Sequence, residues 1–514
     1  MVLADIIERN ARLSPRRLAI IYEGRRLTHA DFSLRVGRLA NALGGAVSSG
    51  SRVAILAHNC IEYLEIHGAC ERAGYIAVGI NVRLAEPEVA AVLSDCTPSV
   101  LFFETEFVPL VSQLRAMFPD LRLIAIGATP EWAEPYETIL ASASADTQMR
   151  AAADDIAHLV YTSGTTGRPK GAMLSQGALM EAARITAHEG GVLPTDVVLL
   201  VMPLYHIGAK IEQLAFALSG ATIVLHRRFD ALAILTSLTR ERVTAMHLAP
   251  ILIQRLLDVP DFESADRSSL RCIHYSASPM PVPLLRRALA AFGPVFTQIY
   301  GMTECAVGSI LKPHQHVTDG DESQTRRLAS AGQEFLGTKI RIASDGGVEC
   351  KEGQIGEVLI CSPGVMKGYW LAPEMTAQSL QNEWLHTGDM GFIDCEGYLF
   401  LVDRKKDVIV SGGENVFSRE VEDALRSHPD VDEVAVIGVP DAEWGESVRA
   451  FIILKSGKAP ATEDLTQYCR ERIAGYKRPR EFEFVDDLPR LASGKIDKKQ
   501  LRAPFWRGYS RFIS

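Results

Sequence analysis

Ile156-Ala-His-Leu-Val160 runs directly into Tyr161-Thr-Ser-Gly-Thr-Thr-Gly-Arg-Pro-Lys-Gly171. The first five residues make an apolar run of strand length. The next eleven carry three glycines, four serine or threonine hydroxyls and two cations. Glycines let backbone N–H groups close on an anion, hydroxyls donate, and Lys170 adds positive charge. In physical terms a strand feeds a phosphate loop. It is not a Walker loop, because Pro169 stands where Gly-Lys-Ser/Thr would have to begin. On composition alone a flexible polar loop remains open as the other reading.

Working upstream, helix and strand patterns alternate. Phe32, Val36, Leu39, Ala40 and Leu43 recur at i, i+4, i+7, i+8 and i+11, one helical face that stops at Gly44-Gly45. Residues 52–57, 75–80 and 99–103 read as strands, and residues 61–74 and 85–96 as helices. Strands separated by helices of this length predict parallel sheets covered on both faces. Downstream, from about Phe335 to Leu401, turn signals at Asp345-Gly346-Gly347 and Glu396-Gly397 separate short apolar runs, a pattern of antiparallel hairpins. Five consecutive charges follow, Asp403-Arg-Lys-Lys-Asp407, which read either as a linker or as a solvated turn. Beyond them residues 434–439, 448–454 and 481–485 read as strands and 464–473 as a helix. The expectation is an α/β chain. A large N-terminal domain, residues 1–403, has parallel-rich sheets with helices and a small β-barrel-like part; a small α+β C-terminal domain covers 407–514.

The 514 residues exceed a single-domain mode of roughly 100–150. A hydrophobic fraction of 47% with 23% charged residues excludes a disordered or collagen-like chain. With 54 Lys and Arg against 63 Asp and Glu, the net charge of −9 argues against nucleic acid as the main partner. Nine cysteines without a C-x-x-C pair predict reduced thiols, no zinc site and a cytoplasmic location. The N-terminal residues lack a basic region followed by an apolar core, and no uncharged apolar stretch reaches ~18 residues. We therefore expect neither a signal peptide nor a membrane span.

Further stretches sharpen the reading: Tyr300-Gly-Met-Thr-Glu304, His386-Thr-Gly-Asp389, Asp403-Arg-Lys-Lys-Asp407, Ser411-Gly-Gly-Glu-Asn415 and Ser493-Gly-Lys495. With the loop at 161–171 they resemble, in order, the motifs of the adenylate-forming acyl-CoA synthetase superfamily. The resemblance covers nearly the whole chain. It implies an ATP-dependent carboxylic acid–coenzyme A ligase acting through acyl-AMP, with a fatty or aryl acid as substrate. An enzyme that loads a carrier-protein phosphopantetheine is the alternative. ATP, Mg²⁺ and coenzyme A are the implied cofactors, and a homodimer is compatible with the sequence.

The resemblance also assigns residues. Thr162, Ser163, Gly164, Thr165, Thr166, Gly167 and Lys170 would hold phosphates; Ala277, Ser278, Pro279 and Tyr300 would line the adenine, and Gly301 and Met302 would also bind the nucleotide. Thr303 would contact the α-phosphate. Glu304, with Thr162, would hold Mg²⁺, since a hard cation suits a carboxylate plus phosphates and waters. Asp389 and Arg404 would bind the ribose. Lys495 would be the catalytic lysine, placed by a C-terminal domain that turns about Lys406 within a 404–406 hinge, while Gly412 and Gly413 would line the coenzyme A tunnel. Met202-Pro-Leu-Tyr-His-Ile-Gly208 resembles the border of the acyl site, with Tyr205 and Lys210 against the acid and His206, a further catalytic candidate, at its mouth. A Lys210 aimed inward would suit a second carboxylate or a phenolate on the substrate. Three positions depart from the pattern: Ser175-Gln176 where many members carry His, Ile299 for a frequent Gly, and Val410 for a Lys of plant-type aryl ligases.

Overall fold

The computed structural model describes residues 1–44, 47–145, 150–162, 170–344, 346–411, 414–441, 444–491 and 494–507. The chain divides into two compact units. Met1–Ile340, Ile360–His386 and Gly397–Leu399 form the first, and Arg341–Leu359, Thr387–Glu396 and Phe400–Ser514 the second.

The first unit contains two large sheets. One has seven strands, in the order Glu134–Pro135, Arg122–Ile126, Val100–Glu104, Arg52–Leu56, Ile76–Gly79, Ile156–Thr162 and Lys170–Ser175. Every pairing is parallel except the last. Its inner strands, such as Val-Leu-Phe-Phe-Glu at 100–104, are buried along their whole length, as a sheet covered on both faces requires. The other sheet has nine strands. Its middle runs Phe296–Tyr300, Cys272–Tyr275, Ala245–Leu248, Val197–Leu200 and Thr222–Leu225, all parallel neighbours. Their carboxyl ends therefore point the same way, and the loops leaving them meet at one rim.

The helices follow their apolar spacing. In His29–Gly44 the five residues Phe32, Val36, Leu39, Ala40 and Leu43 are all buried. Ile61–Ala73 ends where Gly74 takes φ 75° and returns its N–H to the Cys70 carbonyl. This helix is buried almost all round, although it carries Glu62, Glu65, His67 and Glu71. Each of those carboxylates meets a cation: Arg25, Arg35 and Lys210 respectively.

A smaller, half-barrel-like sheet orders Lys339–Ala343, Gly356–Cys361, Trp384–Ile393 and Leu380–Gln381, with Leu399–Arg404 also paired to Trp384–Ile393. The C-terminal part of the second unit is the expected α+β layer. Its long hairpin joins Val431–Asp441 to Gly445–Leu454, and Glu481–Phe484 lies parallel to the latter. Val434 and Val436 pack with Val421, Leu425, Leu465 and Cys469 from two helices, while the alternate residues Ala435, Ile437 and Val439 pack with Leu488 on the other face. The charge run 403–407 is knitted in: Asp403 accepts from the Ser418 hydroxyl, Lys405 pairs with Glu357 and Asp407 with Arg502. No helix among the described residues is long and apolar enough to cross a membrane, and their nine cysteines are unpaired.

Candidate active site

Three of the stretches singled out in the sequence leave parallel strands of one sheet at their carboxyl ends. Met202–His206 follows Val197–Leu200, Ser276–Pro279 follows Cys272–Tyr275, and Gly301–Glu304 follows Phe296–Tyr300. The topology gathers them at one rim. His247, at the end of the strand between the first two, hydrogen-bonds Ser276 Oγ through Nε2 at 2.7 Å.

Backbone geometry there is tight. Ala277 has φ 73°, a left-handed conformation that an L side chain rarely takes, while Ser278 and Pro279 beside it are exposed. A Cβ on Gly301 would lie 2.2 Å from the Ala306 carbonyl oxygen, so only glycine fits. Beyond it Ala306 donates its N–H to the Met302 carbonyl, closing a turn that carries Thr303 and Glu304. Tyr300 and Thr303 are half-buried. Glu304 is 6% exposed and its Oε1 accepts the Tyr369 hydroxyl at 2.7 Å. One nearly buried carboxylate, completed by nucleotide phosphates and waters, fits a hard divalent cation.

The loop 161–171 is pinched at its base. Thr162 faces Lys170 as the last pair of an antiparallel ladder, and Tyr161 anchors the strand by donating to Asp95 at 2.5 Å. A strand thus follows the loop, not a helix. Ser163, Gly164, Thr165, Thr166 and Gly167 lie outside the described residues, as do Gly412 and Gly413. The Lys170 ammonium stands 5.6 Å from the centroid of the Tyr369 ring.

In the acyl-border segment Tyr205 is buried, and its ring meets the half-buried His206 edge-on at 4.6 Å. His206 opens the helix Ile207–Ser219. Lys210, one turn on, is 3% exposed and bonds Glu71 at 2.5 Å and Gln213 at 2.9 Å. Glu71, 2% exposed, also accepts from His158 Nε2 at 2.9 Å. Burial drives the Glu71 carboxyl upward, but Lys210 and then His158 outweigh it, and its pKa ends below the usual value. Burial lowers His158, against the Glu71 hydrogen bond and with Lys210 adding to the fall; burial and then Lys210 lower His67, so both imidazoles are neutral near pH 7. The Lys210 charge is therefore already answered by Glu71. On the other side of the same helix, Glu212 receives His274 Nδ1 at 2.8 Å. Burial pushes the His274 pKa down, but Cys272 and then Glu212 outweigh it and hold it well above its ordinary value, while His274 in turn lowers Glu212 against burial, making an ion pair.

The second unit holds its own cluster. Asp389 is buried and takes Arg404 Nε on Oδ1 at 2.7 Å. Asp389 lies within the strand Trp384–Ile393, just after Gly388 at φ 68°, and the Thr387 hydroxyl accepts the Asp389 N–H. Lys495 follows Gly494, at φ 84°, in a turn closed by the Leu491 N–H on the Lys495 carbonyl. As a residue it is exposed, but desolvation around its ammonium, with Arg404 next, pulls its pKa below that of an ordinary lysine; Asp389 opposes this. Lys406 lies exposed in the short 3₁₀ turn Lys405–Asp407.

The departure at Ser175-Gln176 has a local cause. Ser175 caps the helix Gln176–Glu189 by accepting the Ala178 N–H, and Gln176 is buried between the Leu3 N–H and the Glu71 carbonyl. Sequence reading missed Tyr369, Glu71 and the Glu212–His274 pair. For Tyr369 the only available signal was its place in Gly368-Tyr369-Trp370.

With this geometry established, comparison with known proteins fixes the class. Residues 7–370 match the AMP-binding enzyme family and residues 420–495 the AMP-binding enzyme C-terminal domain. The chain is 40% identical to indoleacetate–CoA ligase of Aromatoleum aromaticum over 510 residues, 98% of each protein. It is 39% identical to feruloyl-CoA synthase of an Amycolatopsis species over 499 residues, 97% of this chain and 98% of that one. The solved o-succinylbenzoate CoA synthetase of Bacillus subtilis, holding its acyl-adenylate, superposes with TM-score 0.86 at 33% identity, covering 96% of this chain and 97% of that one. The chain belongs to the adenylate-forming acyl-CoA synthetase superfamily. It is an AMP-forming acid–thiol ligase.

Proposed function

We propose that this enzyme activates an apolar carboxylic acid, with aromatic acids foremost, and transfers the acyl group to free coenzyme A. The substrate carboxylate attacks the α-phosphorus of ATP and pyrophosphate leaves. The coenzyme A thiol then attacks the acyl carbon of acyl-AMP and AMP leaves. Such chemistry rests on positioning and charge neutralisation more than on covalent help from the protein.

The observation that carries the choice of acid is the closed charge around the helix Ile207–Ser219. Lys210 is spent on Glu71 and Glu212 on His274. An amino acid would bring a buried ammonium that finds no open carboxylate in Val201–Gly208, at a cost of several kcal/mol. By the same token Lys210 offers no cation to a second substrate carboxylate. The names of the two relatives, a feruloyl and an indoleacetate ligase, agree with an aromatic acid and a coenzyme A acceptor.

In this reading Lys170 and the loop before it hold phosphates, Thr303 the α-phosphate, and Asp389 and Arg404 the ribose. Tyr300, with Ala277 to Pro279, lines the adenine, and Lys495 meets the charge that builds during adenylation. Mg²⁺, when bound, neutralises phosphate charge, and Glu304 with Thr162 would hold it. Residues 407–514 turn about Lys406 between half-reactions, with Gly412 and Gly413 on the thiol's path.

Pyrophosphate exchange tests the acid. Ferulate, indoleacetate, benzoate and octanoate should each support more exchange than any of the common amino acids, and AMP release should then require free coenzyme A. Exchange with an amino acid that exceeds all four, or acyl transfer only to a carrier protein, would overturn the proposal.

A further inference from the structure

Residues 366–370 join two parts of the nucleotide site that are distant in sequence. They lie antiparallel along the strand Lys170–Ser175: Lys367 donates to the Met173 carbonyl at 2.8 Å, Met173 to Gly368 at 2.9 Å and Trp370 to Gly171 at 2.8 Å. At the other end Met366 donates its N–H to the Glu304 carbonyl at 2.8 Å. The segment thus ties the strand leaving the phosphate loop to the turn carrying Glu304. Tyr369, 7% exposed, does the same with its side chain. Its hydroxyl donates to Glu304 Oε1 at 2.7 Å, and its ring faces the Lys170 ammonium at 5.6 Å, within cation–π range. Its own backbone N–H donates to Thr376 Oγ1 at 2.9 Å, which fixes the main chain from which the ring projects.

We infer that Tyr369 is a positioning residue for Glu304, holding the carboxylate plane so that a divalent cation on the nucleotide phosphates meets it already oriented. This rests on the proposed metal role of Glu304. A carboxylate otherwise turns about its side-chain torsions, and a cation has to order it on arrival. A neutral donor on one oxygen removes that freedom without cancelling the charge the cation needs. Partners of this kind typically control metal affinity by about 10–100-fold.

The test uses Mn²⁺ as the probe, with an ATP analogue whose α–β bridge cannot be cleaved. Free Mn²⁺ is followed by electron paramagnetic resonance on the full-length protein. Tyr369→Phe keeps the ring over Lys170 and removes only the hydroxyl. We expect Mn²⁺ to bind about 10-fold more weakly, with analogue binding in EDTA unchanged. In a Glu304→Gln background the same substitution should have no further effect on Mn²⁺. Unchanged Mn²⁺ affinity in Tyr369→Phe, when Glu304→Gln weakens it, overturns the inference alone. Unchanged affinity in Glu304→Gln overturns the metal reading and the inference with it. Equal losses of Mn²⁺ and of metal-free analogue binding in Tyr369→Phe would make Tyr369 merely structural and also overturn it.

Discussion

Lys210→Met should destabilise the first unit in a strongly pH-dependent way. Methionine preserves most of the apolar stem but removes the ammonium 2.5 Å from Glu71. Both side chains are almost wholly buried, so the loss leaves an unanswered charge, typically costing about 3–5 kcal/mol. The unfolding entropy of a unit of this size is roughly 0.8 kcal/mol/K, which converts about 4 kcal/mol into a fall of ~5 °C. In the wild type Glu71 and His158 both have lowered pKa values. A group lowered on folding adds stability above its unfolded pKa and loses it as pH falls, so His158 weakens the wild type below about pH 6.5 and Glu71 only below about pH 4.5. In the variant the Glu71–His158 pair takes up one proton, which raises a folded pKa. That contribution is present at low pH and is lost as pH rises, by ~1.4 kcal/mol per unit. The deficit should therefore be near 5 °C at pH 8 and shrink toward pH 5. Differential scanning calorimetry at pH 5, 6, 7 and 8 measures it. A deficit that stays constant across this range, or one below about 1 kcal/mol at pH 8, would refute the reasoning. Adding Glu71→Gln should recover most of the loss, because the stranded charge is then gone.

Lys495→Ala should slow adenylation by ~10²–10³ or more and leave thioester formation from supplied acyl-AMP much less affected; equal loss in both half-reactions would contradict the assignment. Lys406→Pro should do the reverse, since proline fixes φ near −65° at a residue proposed to change torsion. Acyl-AMP should accumulate in single-turnover assays, and acyl-CoA formation at the wild-type rate would place the hinge elsewhere. Ala277→Gly should relieve the left-handed φ of 73° and raise stability by up to about 1 kcal/mol in calorimetry; a loss of stability would show that the methyl group's packing outweighs the strain.

Periodicity made the fold legible where one residue's environment repeats along the chain. The face from Phe32 to Leu43 and the buried run at 100–104 could be found from local spacing alone. Motif order made the nucleotide residues legible one at a time. What stayed hidden was pairing over long sequence distance. Lys210 looked like a charge available to substrate because nothing near it in sequence names Glu71, 139 positions earlier. Tyr369 carries no charge and sits in an apolar stretch, so only the chain's return to Glu304 gives it a role. The run 403–407 showed only its charge: nothing near it in sequence names the partners that Asp403, Lys405 and Asp407 find.

The helix Ile61–Ala73 has a consequence for divergence. Its three glutamates each meet a cation, Arg25, Arg35 and Lys210, brought in from elsewhere in the sequence. Losing either member of such a couple strands a buried or half-buried charge, whereas losing both leaves only a packing problem. These positions should drift through sequence space in tandem. Among homologues with an apolar residue at the place of Lys210, the place of Glu71 should have shed its carboxylate too, an inherited bookkeeping of charge written along one buried helix.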